Sequence, residues 1–90
     1  VVKEAHLFFK GSVQGVGFRW TARNLAQKYS VNGWVKNLPD GRVELKAQAD
    51  EKQVRSYINA LKEEMSGYIR DKDISWQEPQ KKYNEFSIRY

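Results

Sequence analysis

The sequence predicts an α+β fold: a ferredoxin-like two-layer sandwich in which an antiparallel sheet carries two helices on one face. Three observations lead there. The chain has 90 residues, of which 40% are hydrophobic and 30% charged, enough for one modest core and one domain. Two segments repeat their apolar residues at helical spacing, and several shorter ones alternate them with period two. Their order along the chain is β-α-β-β-α-β, with an irregular strand before the last.

Each element has its own signal. Glu4 to Lys10 reads as a strand, with Ala5, Leu7 and Phe9 on one side and His6, Phe8 and Lys10 on the other. Phe18, Ala22, Leu25, Ala26 and Tyr29 form one helical face, which Gly33 is expected to close. Trp34 to Asn37 is a short strand, and Pro39-Asp40-Gly41 is a turn. Val43, Leu45, Ala47 and Ala49 alternate with polar residues, which predicts a strand with one wet face. Asp50 and Gln53 stand at capping-box spacing before a second helix with Val54, Tyr57, Ile58, Leu61 and Met65 inward, ending at Gly67. A strand is expected within Tyr68 to Trp76, its alternation spoiled by Arg70-Asp71-Lys72-Asp73. Glu85 to Tyr90 is the last.

Composition narrows the chemistry. Cysteine is absent, which excludes disulfides, thiol nucleophiles and thiolate metal sites. His6 is the single histidine, so paired-histidine metal motifs are impossible. No stretch is long and apolar enough to span a membrane, and no secretory signal pattern opens the chain. A cytoplasmic location and a monomer are the expectations. The net charge is +5, and no acid lies between Glu4 and Asp40, where Lys10, Arg19, Arg23, Lys28 and Lys36 stand. An anionic partner follows, either a small phosphate compound or a nucleic acid.

The candidate site is Gly11-Ser12-Val13-Gln14-Gly15-Val16-Gly17-Phe18-Arg19, which joins a strand to a helix start. Glycines let the backbone turn so that N–H groups converge, and a helix N-terminus adds unpaired donors. Arg19 can grip two phosphate oxygens with parallel hydrogen bonds. The loop is neither a Walker A motif nor a dinucleotide fingerprint, because no Lys-Ser/Thr follows and Trp20 stands where a third glycine would be needed. Asn37 is the second candidate, although an asparagine at a strand end is commonly a turn residue. Trp20 and Trp34 are expected to fill core or edge, and His6 to play no direct part. Whether Lys10, Arg23 or Lys36 steers a substrate is left open by the sequence.

These residues resemble the acylphosphatase family. Gly11 to Arg19 is similar to its first signature. Gly33-Trp34-Val35-Lys36-Asn37, followed by Asp40-Gly41 and Val43, is similar to its second, and Phe86 to Tyr90 to its usual close. The likeness covers nearly the whole chain, which reads as a single acylphosphatase-like domain over 1–90. It implies metal-independent hydrolysis of the carboxyl-phosphate bond of an acyl phosphate, with no cofactor and with inorganic phosphate or a similar anion as product ligand. By motif position, Arg19 binds the phosphoryl group and Asn37 positions the attacking water. The backbone N–H groups of Gln14, Gly15, Val16, Gly17 and Phe18 form the cradle. Ala49 and Ser12 depart from the family pattern outside these positions. The chemistry suits such sparse means: a carboxylate leaving group, with a conjugate-acid pKa of ~4, needs no general acid. The alternative is a basic ferredoxin-like module for RNA or another polyanion, which would stack bases on sheet aromatics. A domain of a longer protein is a further possibility, although the compact ending at Tyr90 favours a free-standing enzyme.

Overall fold

A computed structural model describes residues 1–90. The chain forms β1 (Val2–Gly11), α1 (Phe18–Lys28), β2 (Asn32–Asn37), β3 (Val43–Asp50), α2 (Glu51–Glu64), β4 (Ile69–Gln77) and β5 (Phe86–Arg89). The strands make one sheet in the order β4-β1-β3-β2-β5. Both helices cover one face of it, through Phe18, Ala22 and Ala26 of α1 and Val54, Tyr57, Ile58 and Leu61 of α2. The ferredoxin-like sandwich is therefore as predicted.

Strand direction refines the expectation of an antiparallel sheet. β1 runs antiparallel to β3 and β4, and β2 antiparallel to β3, but β5 lies parallel to β2. The cause is the connection 78–85. β4 and β5 occupy opposite edges, about 19 Å apart at ~4.8 Å per strand, so the chain must cross one end of the sheet before it turns back. It is held there by side chains from the sheet. Asn32 Nδ2 donates to the Tyr83 carbonyl at 3.0 Å, and Gln48 Nε2 to the Lys81 carbonyl at 2.5 Å. Trp34 Nε1 donates to Tyr83 Oη at 3.1 Å. The ends of β1, β2 and β5 consequently meet at the opposite end.

The core follows the predicted alternation. Ala5, Leu7 and Phe9 of β1 and Val43, Leu45, Ala47 and Ala49 of β3 are all buried against the helices. Each large apolar side chain so buried contributes roughly 1.5–3 kcal/mol. Ala49 belongs to this cluster, so the departure from the family pattern is accommodated by packing. Phe9 and Phe18 rings lie 5.0 Å apart and pin the start of α1 to β1. Tyr57 Oη donates to the Ala22 carbonyl at 2.9 Å and ties the helices together.

Several local details differ from the sequence reading. Gly33 does not close α1. Ser30 does so with φ 57°, while its own N–H reaches the Gln27 carbonyl and Val31 N–H the Ala26 carbonyl, the paired bonds of a Schellman ending. Gly33 lies inside β2, where a Cβ would collide with the Lys46 carbonyl oxygen of the neighbouring strand. Asp50 does precede α2, but its side chain makes no capping bond. Gln53 Nε2 instead donates to the Tyr29 carbonyl, left free at the end of α1, at 3.3 Å. A tertiary contact takes the place of the local capping box. α2 ends at Glu64, before Gly67. The charged run Arg70 to Asp73 does not break β4; it lies on an edge strand, where charge discourages pairing with other chains.

Candidate active site

The site lies where β1, α1, β2 and β5 converge, and it is built by the loop between β1 and α1. Gly15 and Gly17 both take φ 78°, a left-handed conformation that side chains resist. A Cβ at either would meet nothing within 4 Å, so the backbone conformation, and not space, calls for glycine. Gly17 is the N-cap of α1; no side chain caps it, and no acid stands in the first turn. None of the backbone N–H groups from Val13 to Trp20 donates to an acceptor in the protein. Val13 is buried beneath the loop and Phe18 locks its far end. The result is a run of fixed donors without protein partners at the positive end of a helix, where negative charge is favoured.

The loop borders a cleft of about 310 Å³ lined by Gly15, Gly17, Phe18, Arg19 and Asn37 among others. Arg19 is half-buried, forms no ion pair, and stacks its guanidinium 4.9 Å from the Tyr90 ring centre. That shelf restrains a long side chain without neutralising it. Asn37 ends β2, and its Oδ1 is buried with no hydrogen-bond partner. A buried carbonyl oxygen left unpaired is costly, roughly 1–3 kcal/mol, so Asn37 is not held there by hydrogen bonding of that oxygen.

Asn37 is thus not the turn residue that its position suggested. Asp40 does that work: Arg42 N–H donates to Asp40 Oδ1 at 3.1 Å and Arg42 Nε to Oδ2 at 2.8 Å. The backbone bond from Arg42, more than its side chain, holds the Asp40 carboxyl below the usual carboxylate range. Of the five cradle residues, Gly15, Gly17 and Phe18 line the cleft, whereas Gln14 and Val16 do not. Val16 packs against the core. Gln14 has a role the sequence reading missed. Its Nε2 donates to the carbonyls of Leu38 and Arg42 at 2.8 and 2.9 Å, which clamps the cradle to the turn behind Asn37. Nothing in the sequence distinguishes this amide from any other loop glutamine.

Other candidates fall elsewhere. His6 lies on the helix-free face of the sheet, its Nε2 2.6 Å from Glu44 Oε2, and takes no part in the cleft. Trp34 is buried on the helix-free face of the interior strand β2, outside the main core cluster, and Trp20 is 61% exposed at the rim of the cleft, filling neither core nor edge. The base-stacking platform of the RNA reading is missing. Phe8 lies under the Arg42 guanidinium at 4.7 Å, and Trp34 lies under Arg89 at 4.7 Å and Lys36 at 5.6 Å. No three His, Asp or Glu side chains gather where they could hold a metal ion.

An α+β sandwich whose one cleft gathers unpaired backbone donors, a guanidinium without an ion pair and Asn37 narrows the chain to small α+β domains with an electropositive cleft. Comparison with known proteins specifies which. The acylphosphatase family model matches residues 5–88. An acylphosphatase of Thermococcus kodakarensis is 42% identical over 77 residues, covering 84% of this chain and 85% of the relative. The crystal structure of acylphosphatase from Bacillus subtilis superposes with a TM-score of 0.89 at 32% identity, covering 98% of this chain and 99% of that one. T. kodakarensis HypF matches with a TM-score of 0.85 at 27% identity, covering 97% of this chain but 12% of that one. The chain belongs to the acylphosphatase family, enzymes that hydrolyse acyl phosphates, and the RNA-binding alternative has no support.

Proposed function

We propose that Arg19, Asn37 and the backbone N–H groups of Gln14 to Phe18 carry out acyl phosphate hydrolysis without a metal ion. The cradle and the Arg19 guanidinium bind the phosphoryl oxygens and stabilise the charge that grows on them in the transition state. The Asn37 side-chain amide holds the attacking water and aims its oxygen at phosphorus. The new bond forms between that oxygen and phosphorus. The bond from phosphorus to the acyl oxygen breaks, and its electron pair leaves on the carboxylate. The water's proton passes to a phosphoryl oxygen, so neither a general base nor a general acid is required of the protein. Inorganic phosphate remains in the cradle as product ligand. The observation that carries this reading is the convergence of the unpaired Arg19, the free backbone donors of the loop and Asn37 on one cleft.

Residues 1–90 act as a single domain, supported by one sheet and one contiguous core. Function as a cytoplasmic monomer agrees with the absence of cysteine and with edge strands that are short or charged. Phosphate release from benzoyl phosphate, measured with chelator present, tests the mechanism. Wild type is expected to turn over, and Arg19→Ala to lose about 10²–10³ in rate, roughly 3–4 kcal/mol. Activity abolished by the chelator, or retained in Arg19→Ala, would overturn it.

A further inference from the structure

Of the three cations whose role the sequence leaves open, two are occupied elsewhere. Lys10 Nζ lies 3.5 Å from Asp73, and Lys36 Nζ lies 3.9 Å from Glu44 and over the Trp34 ring. Arg23 is different. It is half-buried, yet it makes no side-chain hydrogen bond, ion pair or ring contact. It lines the phosphoryl cleft together with Arg19 and Asn37. It also lines an adjoining groove of about 500 Å³ between α1 and β5, bordered by Asn24, Gln27 and Ser87. The two spaces share Arg23, Ile88 and Tyr90 as their common wall.

Arg19 and Arg23 are four residues apart on α1, so they stand on one helix face about 6 Å apart along the axis. Like charges at that spacing disfavour the helix, and neither guanidinium forms an ion pair within the protein. An anion with two charged ends would. We infer that Arg23 is a specificity-determining residue, and that the preferred substrate is an acyl phosphate bearing a second anionic group on its acyl portion. The inference rests on the reading of the cradle and Arg19 as the phosphoryl site. With the phosphoryl group held there, the acyl carbons pass along Ile88 and Tyr90, and the second anion meets the Arg23 guanidinium. Glu85 lies in the same groove beyond Phe86 and sets a limit: its charge repels an anion that reaches past Arg23. The favoured acyl group is therefore short.

The test compares 3-carboxybenzoyl phosphate with 3-methylbenzoyl phosphate, in wild type, Arg23→Gln and Arg23→Lys. The two substrates are alike in size, and a meta carboxylate cannot reach its own acyl carbon. Wild type is expected to favour the carboxylated substrate by about tenfold in kcat/KM, as one charge-assisted contact allows. Arg23→Gln should erase that ratio, mainly through KM, and Arg23→Lys should keep part of it. Thermal melts establish that each variant is folded, and should Arg23→Gln unfold, the ratio in Arg23→Lys and its fall with added salt decide. A wild-type ratio near one, or a ratio unchanged by Arg23→Gln, would overturn the role of Arg23 while leaving hydrolysis intact. Turnover of neither substrate by wild type would instead overturn the phosphoryl site on which it depends.

Discussion

Asn37 shows how little of a residue's role its type conveys. Its place at the end of β2 is common to many structural asparagines, but its Oδ1 is buried and unpaired where theirs would be bonded. Because it faces water and not phosphate in the proposed reaction, Asn37→Ala should lower kcat by about 10²-fold with little change in inhibition by inorganic phosphate. Steady-state kinetics with phosphate as competitor would measure both, and an unchanged kcat would remove Asn37 from the mechanism. Arg19 is the complementary case. Its chemistry is evident from type alone, but the Tyr90 ring that holds it comes from the far end of the chain.

At the scale of elements, the site depends on how α1 starts and how it stops. The start is a left-handed Gly17 that leaves donors free, and the stop is Ser30 at φ 57°. A side chain in that conformation costs roughly 1–2 kcal/mol, which glycine avoids. Ser30→Gly should therefore stabilise the fold by about 0.5–1 kcal/mol, after its added freedom in the unfolded chain is offset. That amounts to a rise in melting temperature of several degrees for a domain this size. Calorimetry gives the answer directly, and a lower melting temperature would show that Ser30 is not strained. The Gln14 clamp acts at the same scale: it makes the loop after β1 and the turn after β2 one unit, though they are separate in sequence.

The whole molecule adds terms that no single element contains. Tyr57 is the largest fully buried side chain, and burial pushes its phenol well above the usual value near 10. The unfolded chain loses this proton as pH rises through about 10, whereas the folded protein keeps it. The unfolded state then binds fewer protons, so stability present below that pH is lost above it. Tyr57→Phe should cost about 1 kcal/mol at neutral pH through the lost bond to Ala22. It should also flatten the decline above pH 10. Urea midpoints at pH 8, 10 and 11 would reveal this, and parallel declines in the two proteins would refute it. The sheet order belongs to this scale as well, since the strap 78–85 sets the direction of β5.

Much of this was legible in the chain. The alternation in β1 and β3, the helical face of α2 and the glycine-rich loop before Arg19 each state a local preference that folding keeps. Period and turn chemistry act over a few neighbours, and the core rewards the same faces. Boundaries and partners were less legible. Gly33 looks like a helix stop until β3 is beside it, because the Lys46 carbonyl that excludes a side chain is thirteen residues away. Gln53 looks like a capping partner until the end of α1 offers a free carbonyl. The basic first half looks like one continuous field until Asp73 and Glu44 pair with Lys10 and Lys36 and leave Arg19 and Arg23 free. Local backbone chemistry wrote the fold and the cradle into the sequence. Which charges stay unpaired and which amide oxygen stays orphaned depended on residues far apart in the chain, because electrostatics and hydrogen bonding act through space.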